Sequence, residues 1–253
     1  MQADSMKIFE TQQHAGCEIA VVEYERLCGA GRPADLYYRE KLGLRLRTLR
    51  FTLQNSSFIA EPGLLHYLKG PIDMKTEGGG GGVGGLLSRA VQSLATGESM
   101  HRTQYQGTGI AYMEPSFQHY LIVDVDDDEI VCDRGAFAAA TGSFRFSVKR
   151  PDSVVAGALG GEGYFQPCLK GSGLVVLQSP VPAEELTRVE LQNERLVVDG
   201  NFAIARAGSF RVTVEKSQKS ILGTLRGGEG LVTVFQGTGL IWLAPTASIY
   251  SSP

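Results

Sequence analysis

The chain has 253 residues, 43% of them hydrophobic and 20% charged, and a formal net charge of -3. Plentiful apolar residues with modest charge exclude a disordered chain, and 24 basic against 27 acidic residues exclude a dedicated polyanion binder. The longest apolar runs, such as Ala136 to Ala140, fall far short of the ~18–20 residues of a membrane-spanning helix.

The N-terminus, MQADSMKIFETQQHAG, has neither the basic-then-apolar order of a secretory signal nor an arginine-rich transit pattern, so the expected location is cytoplasmic. Cys17, Cys28, Cys132 and Cys168 form no Cys-x-x-Cys and are expected to be free thiols. Residues 1–45 are expected to form an extension packed on the body. Lys41 to Arg50 alternates, with Lys41, Arg45 and Arg47 on one side and Leu42, Leu44 and Leu46 on the other. That spacing predicts an amphipathic strand.

From there the sequence repeats itself. Gln106-Gly107-Thr108-Gly109-Ile110, Lys170-Gly171-Ser172-Gly173-Leu174 and Gln236-Gly237-Thr238-Gly239-Leu240 align, each preceded by a Gly-Glu pair: Gly97-Glu98, Gly161-Glu162 and Gly228-Glu229. An upstream block, Gly135-Ala136-Phe137-Ala138 through Gly142-Ser143-Phe144-Arg145-Phe146, matches Gly200-Asn201-Phe202-Ala203 through Gly208-Ser209-Phe210-Arg211-Val212. A fainter copy runs from Pro62-Gly63 to Gly70-Pro71. Within these blocks Phe144, Phe146 and Val148 alternate with Arg145, Ser147 and Lys149, as Phe210, Val212 and Val214 do with Arg211, Thr213 and Glu215. A period of two predicts half-buried antiparallel strands. The recurrent glycines are expected to mark hairpins, positive φ or close backbone approach. The expected fold class is therefore all-β with approximate threefold internal symmetry. Repeat 1 covers residues 46–115 with a flexible glycine loop at 78–85, repeat 2 covers 116–182, and repeat 3 covers 183–253. Leu87, Val91 and Leu94 stand at helical spacing and predict one short helix near 86–94.

Chemical motifs are sparse. The glycine run Gly78 to Gly82 leads into Val83 rather than Gly-Lys-Ser/Thr, so it is not a phosphate loop. Asp124-Val125-Asp126-Asp127-Asp128-Glu129 lacks the pattern of a helix–loop–helix calcium site and is expected at a solvated hairpin tip, with a weak divalent-ion site as the minor alternative. His14, His66, His101 and His119 form no His-x-His or His-Glu-x-x-His, and there is no Gly-x-Ser-x-Gly elbow. No catalytic, cofactor-binding or metal residue is assigned, and no nucleic-acid partner is expected.

One recurrent feature points to a surface. Before each Gly-Glu pair stands an apolar segment: Leu86, Leu87 and Leu94; Val155 and Leu159; Ile221, Leu222 and Leu225. Equivalent positions in three copies would bring them to one end, as an oligomer contact, a partner site or a shallow lipid-contacting surface. Folding inward to cap the core is the alternative.

Phe58-Ile59-Ala60-Glu61-Pro62-Gly63, the glycine-rich stretch running into Gly97-Glu98-Ser99, Arg134-Gly135-Ala136-Phe137 and Gly228-Glu229-Gly230-Leu231 together resemble the altered-inheritance-of-mitochondria twenty-four family, over about Leu46 to Pro245. The resemblance implies β-sandwich units like the tryptophan RNA-binding attenuation protein, repeated about a pseudo-threefold axis. It transfers no catalytic residues. The resulting expectation is a non-enzymatic, self-associating scaffold or interaction module. A peripheral membrane protein using the apolar loops is the alternative, and a metal-dependent enzyme is a more distant one.

Overall fold

A computed structural model of the chain describes residues 5–26, 33–77, 102–133, 135–154, 166–199, 202–216 and 231–245. The protein is all-β. One helix, α1 (Pro33–Lys41), and a 3-10 turn (Ala183–Glu185) accompany the strands among the described residues.

An N-terminal hairpin comes first, β1 (Met6–His14) and β2 (Cys17–Tyr24), with His14 opposite Cys17. Its two-residue loop, Ala15-Gly16, has positive φ at both positions (46° and 79°), the turn whose twist matches that of paired strands. β2 then lies antiparallel to β3 (Arg47–Ala60).

The remaining strands fall into three sets, each with its last strand in the middle. β3 pairs with β6 (Arg102–Met113), which pairs on its other side with β4 (Leu65–Lys69) and β5 (Ile72–Glu77). β7 (His119–Cys132) pairs with β11 (Gln166–Ser179), which also carries β8 (Phe137–Thr141) and β9 (Ser143–Lys149). A short parallel strand, β10 (Ser153–Val154), runs beside β13 (Ala203–Lys216). β12 (Thr187–Asp199) pairs with β14 (Leu231–Leu243), which pairs with β13.

Two antiparallel strand junctions join the sets, besides the short parallel contact of β10 with β13. Phe58, Ile59 and Ala60 of β3 lie opposite Thr141, Ala140 and Ala139 of β8. Ile130, Val131 and Cys132 of β7 lie opposite Ala207, Arg206 and Ala205 of β13. Each junction extends one backbone bond further, Glu61 N–H to Ala138 O at 2.9 Å and Asp133 N–H to Ile204 O at 2.7 Å. The sheet path ends at β1 on one side and β12 on the other.

The core follows these junctions. Phe51, Phe58 and Tyr105 stack in sequence, with centroids 3.9 and 4.6 Å apart, and Ala138, Ala139 and Val176 from the second set close over them. Ile130, Leu169 and Leu177 pack with Ile204 and Trp242 from the third set. Burying a side chain such as Phe51 or Ile130 contributes about 2–3 kcal/mol, so each junction is held by apolar burial as well as ladder bonds.

The alternation read in β9 and in the second half of β13 is present: Phe144, Phe146 and Val148 are half-buried between exposed neighbours, and Val212 and Val214 are buried. Three expectations need correction. The Gly-x-Gly segments do not turn the chain; they lie inside β6, β11 and β14, where the glycines serve positive φ and close approach instead. Asp124 to Glu129 is no hairpin tip: β7 runs through it unbroken and absorbs an extra residue as a bulge opposite Gly171 and Gly173. Lys41 to Arg50 is not one strand, because Lys41 ends α1 and β3 begins at Arg47, which is buried rather than on a basic solvent face. The expected helix at 86–94 and the glycine loop at 78–85 lie outside the described residues.

Candidate interaction surface

Each first strand carries a bulge opposite the paired glycines, which bends it, and these bends position the surface. In each set the first strand carries a non-glycine residue at positive φ: Asn55 (50°), Asp127 (47°) and Asn193 (59°). Asn and Asp tolerate that conformation better than other side chains. The backbone N–H of each donates to a hydroxyl between the paired glycines of the middle strand: Asn55 to Thr108 Oγ1 at 3.0 Å, Asp127 to Ser172 Oγ at 2.8 Å, Asn193 to Thr238 Oγ1 at 2.9 Å. On the other side of that strand the glycines meet backbone with no room for a side chain. A Cβ on Gly171 would overlap the Ser143 carbonyl oxygen.

Three residues past each of the first two bends, the first strand reaches a junction. Phe58 and Ile130 begin the two junctions that are made, and Val131 is 3% exposed there. The corresponding stretch of β12 starts at Leu196, and β12 pairs with β14 alone among the described strands. Val197 is accordingly 43% exposed. A second exposed apolar position stands on β4. Tyr67 is 41% exposed, stacks on Tyr112 with centroids 4.9 Å apart, and borders a hollow of about 350 Å³ lined also by Lys69 and Ile110. Burial, with Tyr112 adding to it, pushes the Tyr67 phenol above its usual range, which keeps it neutral.

The charged side chains inside the fold are tied to one another. Arg47 donates from Nε to Glu23 Oε1 at 2.8 Å, and its Nη1 stands 3.0 Å from His119 Nδ1. Arg50 reaches Glu18 at 2.8 Å, and Arg102 reaches Glu61 at 3.2 Å while lying over the Phe137 and Phe146 rings. Arg206 donates to Gln166 Oε1 at 2.6 Å. Cys17, Cys132 and Cys168 are buried free thiols; burial pushes the Cys17 thiol up to about 12, so it is inert at neutral pH. Cys28 lies outside the described residues.

The eight apolar loop residues of the sequence reading (Leu86, Leu87, Leu94, Val155, Leu159, Ile221, Leu222 and Leu225) also lie outside them. In the Asp124–Glu129 stretch, Asp128 accepts the Glu129 backbone N–H at 2.7 Å and Glu129 pairs with Lys149 at 2.9 Å. Among the described residues no three His, Cys, Asp or Glu side chains come together to hold a metal ion, and no helix is long and apolar enough to cross a membrane. Tyr67 and Val197 were missed in the sequence. The signal was there: the glycine alignment that puts Gly70 with Gly142 also puts Tyr67 at the place of the buried Ala139.

Fold and surface together define an all-β protein built on one large, mainly antiparallel sheet whose strands bend at paired glycines. The family model described as mitochondrial biogenesis AIM24 matches residues 40–246, and the chain belongs to that family. An uncharacterized protein of Streptococcus pyogenes serotype M6 is 25% identical over 178 residues, covering 68% of this chain and 69% of its own. The crystal structure of a Streptococcus pyogenes protein superposes with a TM-score of 0.58 at 18% identity, covering 95% of this chain and 94% of that one.

Proposed function

We propose that the protein is a non-enzymatic scaffold that works by assembling with itself. Its body is three copies of one β-sandwich unit like that of the tryptophan RNA-binding attenuation protein, set about a pseudo-threefold axis. Residues 46–115, 116–182 and 183–253 are the copies, and residues 1–45 pack on the first. Support for the copies comes from the three matching bends at Asn55, Asp127 and Asn193 and from the common order of strands, with the last in the middle.

The observation that carries self-assembly is the outer edge of β12, 13 residues long, unpaired among the described residues and bearing the exposed Val197. Open edges template pairing with another strand and are normally covered or kept short. Sedimentation equilibrium of the full chain tests the reading. A mass well above 27.2 kDa is expected, and a chain that stays at 27.2 kDa across the accessible concentrations removes it. The apolar loop residues are a second contact in this reading. Leu159→Asp with Leu222→Asp is expected to lower the assembled mass in a folded protein, and an unchanged mass removes the loops from the assembly.

A further inference from the structure

We infer that the free edge of β12 is one half of a third strand junction whose other half is β4 of a second copy of this chain. The strands pair antiparallel, with Leu196 opposite Lys69, Val197 opposite Leu68 and Val198 opposite Tyr67. This rests on the self-assembly reading and names its contact.

The register follows from the two junctions already present. On the first-strand side, each begins three residues after the positive-φ residue: Phe58 after Asn55, Ile130 after Asp127. The same step from Asn193 gives Leu196. On the other side, each begins one residue before a positive-φ glycine packed against the middle strand: Thr141 before Gly142, Ala207 before Gly208. Gly70 is packed in the same way against Thr108 and Gly109, which gives Lys69. Running both sides on, the bond made by Glu61 to Ala138 and by Asp133 to Ile204 becomes Asp199 N–H to His66 O.

Exposure supports the assignment from both halves. Residues at these places are withdrawn from water in the two existing junctions: Val131 is 3% exposed, Ala139 0% and Ala205 3%, and Ile59 is half-buried. Their counterparts Val197 and Tyr67 are 43% and 41% exposed. Covering two such apolar side chains is favourable by the area they withdraw from water. Charge agrees as well. The stretch from Glu194 to Asp199 carries two carboxylates and one arginine, whereas β4 carries Lys69 and His66 and no carboxylate. In the inferred register Asp199 faces His66, and Glu194 lies diagonally across from Lys69, within cross-strand reach.

The occupant is a second copy because, among the described strands, β12 and β4 of one chain are not paired with each other, so the approximate threefold arrangement is left open at this junction. Every copy then offers one β12 and one β4, a head-to-tail contact that closes into a ring or propagates, as the rotation dictates.

Two single variants, Leu68→Cys and Val197→Cys, each made in a Cys28→Ser background, test the register. Opposed Cα atoms in an antiparallel pair are about 4.5–5.5 Å apart, within disulfide range. On mild oxidation a two-chain disulfide is expected in the mixture of the two and in neither alone. Val197→Lys, which needs no cross-link, is expected to lower the assembled mass. A chain that sediments as an assembly yet gives no mixed disulfide overturns this contact while leaving self-assembly standing. A double variant cross-linked at one-chain mass overturns the second copy in favour of closure within the chain. A wild-type chain that is monomeric throughout overturns both readings.

Discussion

Burial, with the guanidinium of Arg47 beside it, holds His119 in its neutral form. All guanidinium nitrogens are donors, so Nδ1 of His119, 3.0 Å from Arg47 Nη1, must accept and the ring proton sits on Nε2. Burial first, and the Arg47 charge second, push the His119 pKa down to about 4 from 6.5, against weaker opposing pulls from Glu23 and Glu184. Because the folded value is the lower one, the unfolded chain binds the extra proton between these limits, and stability falls as pH drops from 6.5 to 4. After allowance for screening at a half-buried site, the loss is about 1–3 kcal/mol. Thermal unfolding should show Tm falling over that window in the wild type, and a flatter profile in His119→Gln.

A methyl group at Gly171 has nowhere to go. Its φ is 150° and the added carbon would overlap the Ser143 carbonyl oxygen, so Gly171→Ala should cost more than about 3 kcal/mol or abolish folding. Gly43 also has positive φ (73°), but nothing lies within 4 Å of its added carbon. Gly43→Ala should cost only about 1 kcal/mol, the backbone term alone. Urea unfolding of both separates close approach from conformational preference, and equal costs would contradict the packing argument.

The hydroxyls at the bends should contribute individually and modestly. Thr238→Val removes the acceptor of the Asn193 backbone N–H, and Ser172→Ala that of Asp127. Both donors are exposed and can turn to water, so each loss should be about 0.5–1 kcal/mol. The bends belong to different strand sets, so the double variant should show the sum to within about 0.5 kcal/mol. Denaturation midpoints of the two singles and the double check this.

Much of the architecture could be read from periodicity and spacing, because both are local properties. The alternation of Phe144, Phe146 and Val148 against polar neighbours specifies a half-buried strand whatever lies beyond it. The paired glycines likewise announced positive φ and close approach at Gly107, Gly171 and Gly237. What they did not announce was that the approaching backbone belongs to a neighbouring strand, not to a turn in the same one. Asp126 and Asp127 misled in the same way: aspartate favours turns and also the positive φ of a bulge, and only the partner strand decides between them. The N-terminal hairpin carried a usable sign, Ala15-Gly16 between Gln13-His14 and Cys17-Glu18, but it lies outside the repeated pattern that dominates the sequence. Arg47 looked like part of a basic face because its partners Glu23 and His119 are 24 and 72 residues away.

The surface was less legible, since an edge is defined by what fails to pair with it. Val197 sits in an ordinary strand sequence, Leu196-Val197-Val198, similar to Ile130-Val131-Cys132. Its exposure follows from β12 being last in the sheet path, a property of topology and not of the residue.

The most direct measurement is the light-scattering mass of three proteins side by side: wild type, Val197→Lys, and Met74→Lys as a control at another exposed apolar position (57% exposed). The account predicts that wild type and Met74→Lys share a mass that is a multiple of 27.2 kDa and that Val197→Lys has a lower one. All three at 27.2 kDa, or Val197→Lys unchanged from wild type, would contradict it.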